Sequence, residues 1–173
     1  RFLFGIGNGW NQDEMENHGT EFKSRHKRAR ENVETMKEIW TKSKAEYHGE
    51  LVNFDLMMTW PKPVRKQHPP VIVGGAFPYS ARRATRYGDG WIPQAARGGY
   101  KEIADMFPEF RKMCSEAGRD PEAIEVTALG GTRPERIKLL ADLGVARMLL
   151  FCADIAAVPG LGRRVNDLIE QVS

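Results

Sequence analysis

Three stretches of this sequence put glycines where a strand should end and a helix begin. They are "GIGNGWN" at 5–11, "VIVGGAFPYSARRA" at 71–84 and "GGTRPERI" at 130–137. Glycine lets backbone N–H groups approach a ligand closely and take positive φ. A helix that follows adds its own free N–H groups and the positive end of its dipole. The chemistry that such turns serve is capture of an anion, phosphate above all. In the second stretch Gly74 and Gly75 precede Pro78, with Ser80 able to add a hydroxyl and Arg82 or Arg83 a charge. The plainer reading is that the two glycines only make a tight turn. In the third, Gly130 and Gly131 stand before a capping-box pair, Thr132 and Glu135, which satisfies some of the same N–H groups. In the first, Trp10 is a wall for a ring or an anchor for the loop. Asn11 reads the edge of a heterocycle or braces its own turn.

Other chemistries find no support. There is no Ser-His-Asp order, no paired-carboxylate motif and no P-loop. The four histidines, His18, His26, His48 and His68, are scattered without metal-ligand spacing. Cys114 and Cys152 have no CxxC spacing, so no disulfide framework is expected and a reducing cytoplasm is the default. Cys152 reads as core rather than as a reactive thiol. Net charge is only +3, and the basic run "RHKRAR" (25–30) is followed by Glu31, Glu34 and Glu38. That pattern is a solvated helix face and argues against nucleic acid. No apolar run approaches the ~20 residues of a membrane span.

The elements that must position these loops follow from periodicity. The chain has 173 residues, 41% of them apolar, enough for one α/β domain over 1–173. Five apolar runs read as strands: 2–7, 70–75, 90–93, 124–131 and 147–153. Runs 70–73 and 148–152 are apolar on consecutive positions, as a parallel strand covered on both faces requires. Helical stripes lie between them: Phe22, Ala29, Val33, Met36 and Trp40; then residues 79–87; then Ile103, Met106, Phe107, Phe110 and Cys114. Pro108 falls inside the third stripe, which predicts a kink or a later start. Ile137, Leu140 and Ala141 form a fourth stripe, and Val165, Leu168, Ile169 and Val172 a fifth. Residues 46–64 form an insertion between the first helix and the second strand, with the alternation of a hairpin. Strict βα alternation implies a parallel sheet with right-handed crossovers. An open sheet and part of a (β/α)8 barrel both fit; a whole barrel takes ~250 residues, about three units more.

The stretches "FGIGNGWNQDEMENHGTEFKSRHKRARENVETMKEIW", "YHGELVNF", "PKPV", "PPVIVGG", "ARRATRYGDGWIP" and "LGVARMLLF", in this order, resemble the luciferase-like monooxygenase family. The likeness is to its branch of F420-dependent oxidoreductases. The resemblance implies a TIM barrel of which strands four to eight are present, the first three βα units having no counterpart. It also implies hydride transfer, or oxygen activation, at F420 or FMN, with a small organic molecule as substrate. Gly7, Asn8, Gly9, Trp10 and Asn11 would border the cofactor ring and its ribityl chain, and Gly74, Gly75 and Ala76 would hold its phosphate. Family substrate-side residues lie in the part without counterpart, so no acid or base is assigned. A homo-oligomer, or pairing with an amino-terminal barrel segment, is expected, since open parallel edges invite association. The competing reading is a non-catalytic fragment serving as a binding or oligomerisation module.

Overall fold

The structure, a computed structural model, describes residues 2–64, 67–95, 101–131, 133–152 and 154–172, with the backbone alone for residues 164, 165, 168, 169, 171 and 172. The fifth stripe expected from sequence, Val165, Leu168, Ile169 and Val172, therefore has its side chains outside the described residues, as has the whole of Thr132. The chain forms two compact units, 1–72 and 73–173.

In the first unit β1 (Phe4–Ile6) is followed by a short α1 (Gln12–Asn17) and a long α2 (Arg25–Thr41). The Phe4 N–H donates to the Pro70 carbonyl at 2.8 Å. Trp40, at the end of α2, meets the Phe4 ring edge-on with centroids 5.8 Å apart. The expected stripe on α2 brings Val33 to full burial, and Glu38 pairs with Lys42 at 2.5 Å. The insertion folds as an antiparallel hairpin, β2 (Ala45–His48) against β3 (Asn53–Met57), with Tyr47 opposite Phe54.

Glu31 departs from the solvated face expected of it. It is 2% exposed, and its carboxylate accepts the N–H groups of Leu51 (2.7 Å), Val52 (3.0 Å) and Glu50 (3.4 Å) in the hairpin turn. Burial pushes this carboxyl upward, but the three backbone donors, with Lys27 nearby, outweigh it and hold it below its ordinary value. A Cβ on Gly49 would stand 2.5 Å from the same carboxylate, so only glycine admits the approach.

The strand β4 (Val71–Gly75), whose last three residues open the second unit, β5 (Gly90–Pro93), β6 (Glu125–Leu129) and β7 (Arg147–Leu149) lie side by side in that order. The β5–β6 and β6–β7 pairs are parallel, Trp91 lying opposite Val126 and Ala128 opposite Met148. Helices α3 (Tyr79–Tyr87), α4 (Ile103–Glu116), α5 (Pro134–Asp142) and α6 (Val158–Val172) alternate with these strands. Trp91 is fully buried and stacks on Phe110, centroids 4.4 Å apart. All five apolar residues of the α4 stripe are buried, and the helix passes through Pro108 without starting later.

One local expectation, the Thr132 and Glu135 capping box, rests on Thr132 and so lies outside the described residues; helix α5 starts at Pro134 behind Arg133, which makes no side-chain capping bond. Another differs. The β7 strand stops at Leu149, and Leu149 and Phe151 are 45% and 87% exposed. The consecutive apolar run therefore does not give a strand covered on both faces here; its last residues leave the sheet and face a cavity.

Candidate functional site

Each glycine-bearing loop stands at the carboxyl end of its strand, where α/β proteins place ligands. In the first unit Gly7, Asn8, Gly9, Trp10 and Asn11 together line a cavity of about 400 Å³. Gly9 holds φ +75°, and a Cβ there would meet Met15 Sδ at 2.6 Å, so this corner of the wall admits only glycine. A Cβ on Gly7 would meet nothing within 4 Å, which leaves open space over that peptide. Asn11 braces its own turn: its Oδ1 accepts the Glu14 N–H at 3.4 Å and caps α1. Trp10 is 86% exposed, so it is no loop anchor.

Sequence reasoning missed the cations opposite this loop. Arg25 and Arg28, on α2, line the same cavity. The Arg25 guanidinium stacks 3.6 Å over the Phe22 ring and donates to the Phe22 carbonyl at 2.7 Å. Arg28 Nε and Asn8 Oδ1 are buried without a hydrogen-bond partner among the described residues, while Asn8 Nδ2 lies 2.9 Å from His26 Nδ1. The helical register was legible; that i and i+3 on α2 would turn toward the β1 loop was not.

In the second unit Gly75 takes φ +134°, a conformation that side-chain-bearing residues rarely adopt. A Cβ there would lie 3.3 Å from Arg83 Nη2, so the guanidinium sits directly beside the turn. Gly74, Gly75 and Ala76 are half-buried, and the Ser80 N–H donates to Ala76 oxygen at 2.9 Å. Ser80 itself is not an anion ligand. It is fully buried, its hydroxyl donating to the Gly75 carbonyl at 2.8 Å and accepting the Trp91 indole N–H at 2.9 Å. The Gln94 N–H reaches the same carbonyl at 3.0 Å. Trp91 is core. Of the two candidate arginines, Arg83 flanks the turn and Arg82 is exposed.

The third glycine pair, Gly130 and Gly131, opens on a cavity of about 600 Å³ at the carboxyl ends of β6 and β7. Among the described residues no group of three or more His, Cys, Asp or Glu is placed to hold a metal ion. Among them, too, no helix is long and apolar enough to cross a membrane. Cys152 is half-buried rather than core, its thiol donating to the Asp154 carbonyl at 3.0 Å.

Strand-end loops on βα units define an α/β protein of TIM-barrel type, and five such units follow one another along the chain. The chain belongs to the luciferase-like monooxygenase family, whose model matches residues 1–133. It is 35% identical over 166 residues to an uncharacterised protein of Mycobacterium tuberculosis, covering 91% of this chain and 55% of that protein. It is 30% identical over 159 residues to the F420-dependent hydroxymycolic acid dehydrogenase of the same organism, covering 90% of this chain and 40% of that one. Among solved structures, a monooxygenase from Streptomyces bottropensis superposes with a TM-score of 0.60 at 19% identity, covering 98% of this chain and 48% of its own. The chain thus spans about half the length of the relatives it matches, and these relatives support an oxidoreductase at the level of the family.

Proposed function

We propose that this chain serves an oxidoreductase that binds the deazaflavin F420, with FMN as the alternative, and acts on a small organic substrate. The observation that carries the reading is the turn at Gly75: a glycine-only peptide at a strand's carboxyl end, with a guanidinium beside it and a helix following. Those features suit a phosphate-bearing tail. Gly74, Gly75 and Ala76 would hold that phosphate, and Arg83 would supply its countercharge. Gly7, Asn8, Gly9, Trp10 and Asn11 would border the ring, the indole excluding water and Arg25 and Arg28 setting a positive field around it. The cofactor, when bound, supplies hydride transfer; the residues here bind, orient and keep water out. Kinship with an F420-dependent dehydrogenase favours F420 over FMN. Both cysteines are free, which supports a reducing compartment such as the cytoplasm. Self-association, or pairing with a further barrel segment, is the expected assembly, read by sedimentation.

The test is titration with F420 and FMN side by side, followed by absorbance. A spectral shift with F420 that is lost in Gly75→Asp and weakened tenfold or more in Arg83→Gln supports the reading. Arg83→Gln leaves the backbone untouched, so its effect cannot come from strain at Gly75. Unchanged affinity in both variants removes this turn from the site. A chain that shifts neither spectrum is a binding or oligomerisation module instead.

A further inference from the structure

The cavity beyond Gly130 and Gly131 is not used by the reading above. Its walls are of two kinds. Leu129, Leu149 and Phe151 present apolar surface, and they are 50%, 45% and 87% exposed. Side chains of this size exposed around one concavity are a binding feature rather than scatter. The other wall is charged. Arg136 is held by Glu102 at 3.0 Å, so that pair is internally compensated. Asp105 stands in the first turn of α4, where the helix dipole offsets a carboxylate. Arg133 is exposed and lines this cavity; its carbonyl accepts the Arg136 and Ile137 N–H groups, but its side chain makes no hydrogen bond or ion pair among the described residues. It also directly precedes the first turn of α5, whose dipole adds to its field. A Cβ on Gly131 would meet nothing within 4 Å, so the space over that peptide is open.

We infer that this cavity takes an anionic amphiphile: a small molecule whose apolar body lies on Leu129, Leu149 and Phe151 and whose single carboxylate or phosphate is met by Arg133. The inference rests on the proposed oxidoreductase reading only in naming that molecule's role, as the substrate class. Arg133 is a specificity determinant and takes no part in proton or hydride movement. Its guanidinium pairs bidentately with either head group, whereas a neutral head gains nothing from it.

The experiment is calorimetric titration of the full chain, without cofactor, with decanoate, decyl phosphate and decanol. Decanoate or decyl phosphate should bind at least tenfold more tightly than decanol, and whichever is tighter identifies the head group. Arg133→Gln should bring the anions down to the level of decanol and leave decanol unchanged. Gly131→Val should block all three probes, since it fills open space without touching the fold. Equal binding of decanol and the anions, or full anion affinity in Arg133→Gln, overturns the inference. The cofactor reading is decided separately: F420 binding with no decanoate binding overturns only this inference, and decanoate binding with no F420 or FMN binding overturns only the other.

Discussion

The Ser80 hydroxyl donates to the Gly75 carbonyl at 2.8 Å, and so braces the β4 turn at its positive-φ glycine. The same oxygen takes the Trp91 indole proton, which links the turn to the stacked Trp91–Phe110 core. Removing the hydroxyl leaves a buried indole N–H without its acceptor. Ser80→Ala should therefore cost about 1–3 kcal/mol of stability, measured by urea unfolding. On the proposed reading its effect on F420 affinity should be smaller than that of Arg83→Gln, because the Ser80 hydroxyl is already taken by the Gly75 carbonyl and the Trp91 indole.

Glu31 joins α2 to the hairpin turn through three backbone N–H groups. Its carboxyl is lowered in the fold relative to the unfolded chain. A lowered carboxyl stabilises the fold above its unfolded value, near pH 4.5, and that contribution disappears as pH falls through the folded value. Glu31→Gln should lower the thermal midpoint at pH 7 and flatten the acid limb of the stability profile. A variant whose acid limb matches the parent's would remove Glu31 from this role.

Tyr47 gives the opposite sign. Burial first, and then the hydrogen bond from its hydroxyl to Glu34 at 2.6 Å, push its pKa up to about 12. A raised phenol contributes stability that is full below its unfolded value, 10.0, and is lost as pH rises through about 12. In an ultraviolet titration of the folded chain, one tyrosine should ionise near pH 12, and Tyr47→Phe should delete that step.

The two thiols should separate by reactivity. Cys114 is fully buried in the α4 stripe, and burial pushes its thiol up. Cys152 is half-buried beside Asp154. Iodoacetamide at neutral pH should label Cys152 first, with Cys114 reacting only after denaturation, as read by peptide mass. Equal labelling of both in the native protein would show that the α4 face opens.

Much of the fold was legible because its signals are local. The five strands appear where apolar runs stand between helical stripes, and the Ile103–Cys114 stripe is buried in full. Where reading from sequence went astray, a residue's partner lay far along the chain. Glu31 looked like one charge among several on a solvated face; the hairpin turn 20 positions on makes it a buried acceptor. Ser80 looked like a phosphate ligand; Trp91 claims its oxygen. The end of β7 looked like a covered strand, yet Leu149 and Phe151 open onto a cavity.

The order of residues alone determined the βα alternation, the glycine turns at strand ends and the family, since each depends on spacing and residue type within one element or one loop. Tertiary structure alone decided which polar groups are consumed by the fold and which remain available: Ser80 and Glu31 are used up in holding turns, while Arg28 Nε and the Arg133 side chain keep donors that no described residue takes. The physical reason is that a hydrogen bond needs its partner within about 3 Å, and nothing in a local pattern says which distant peptide will arrive there.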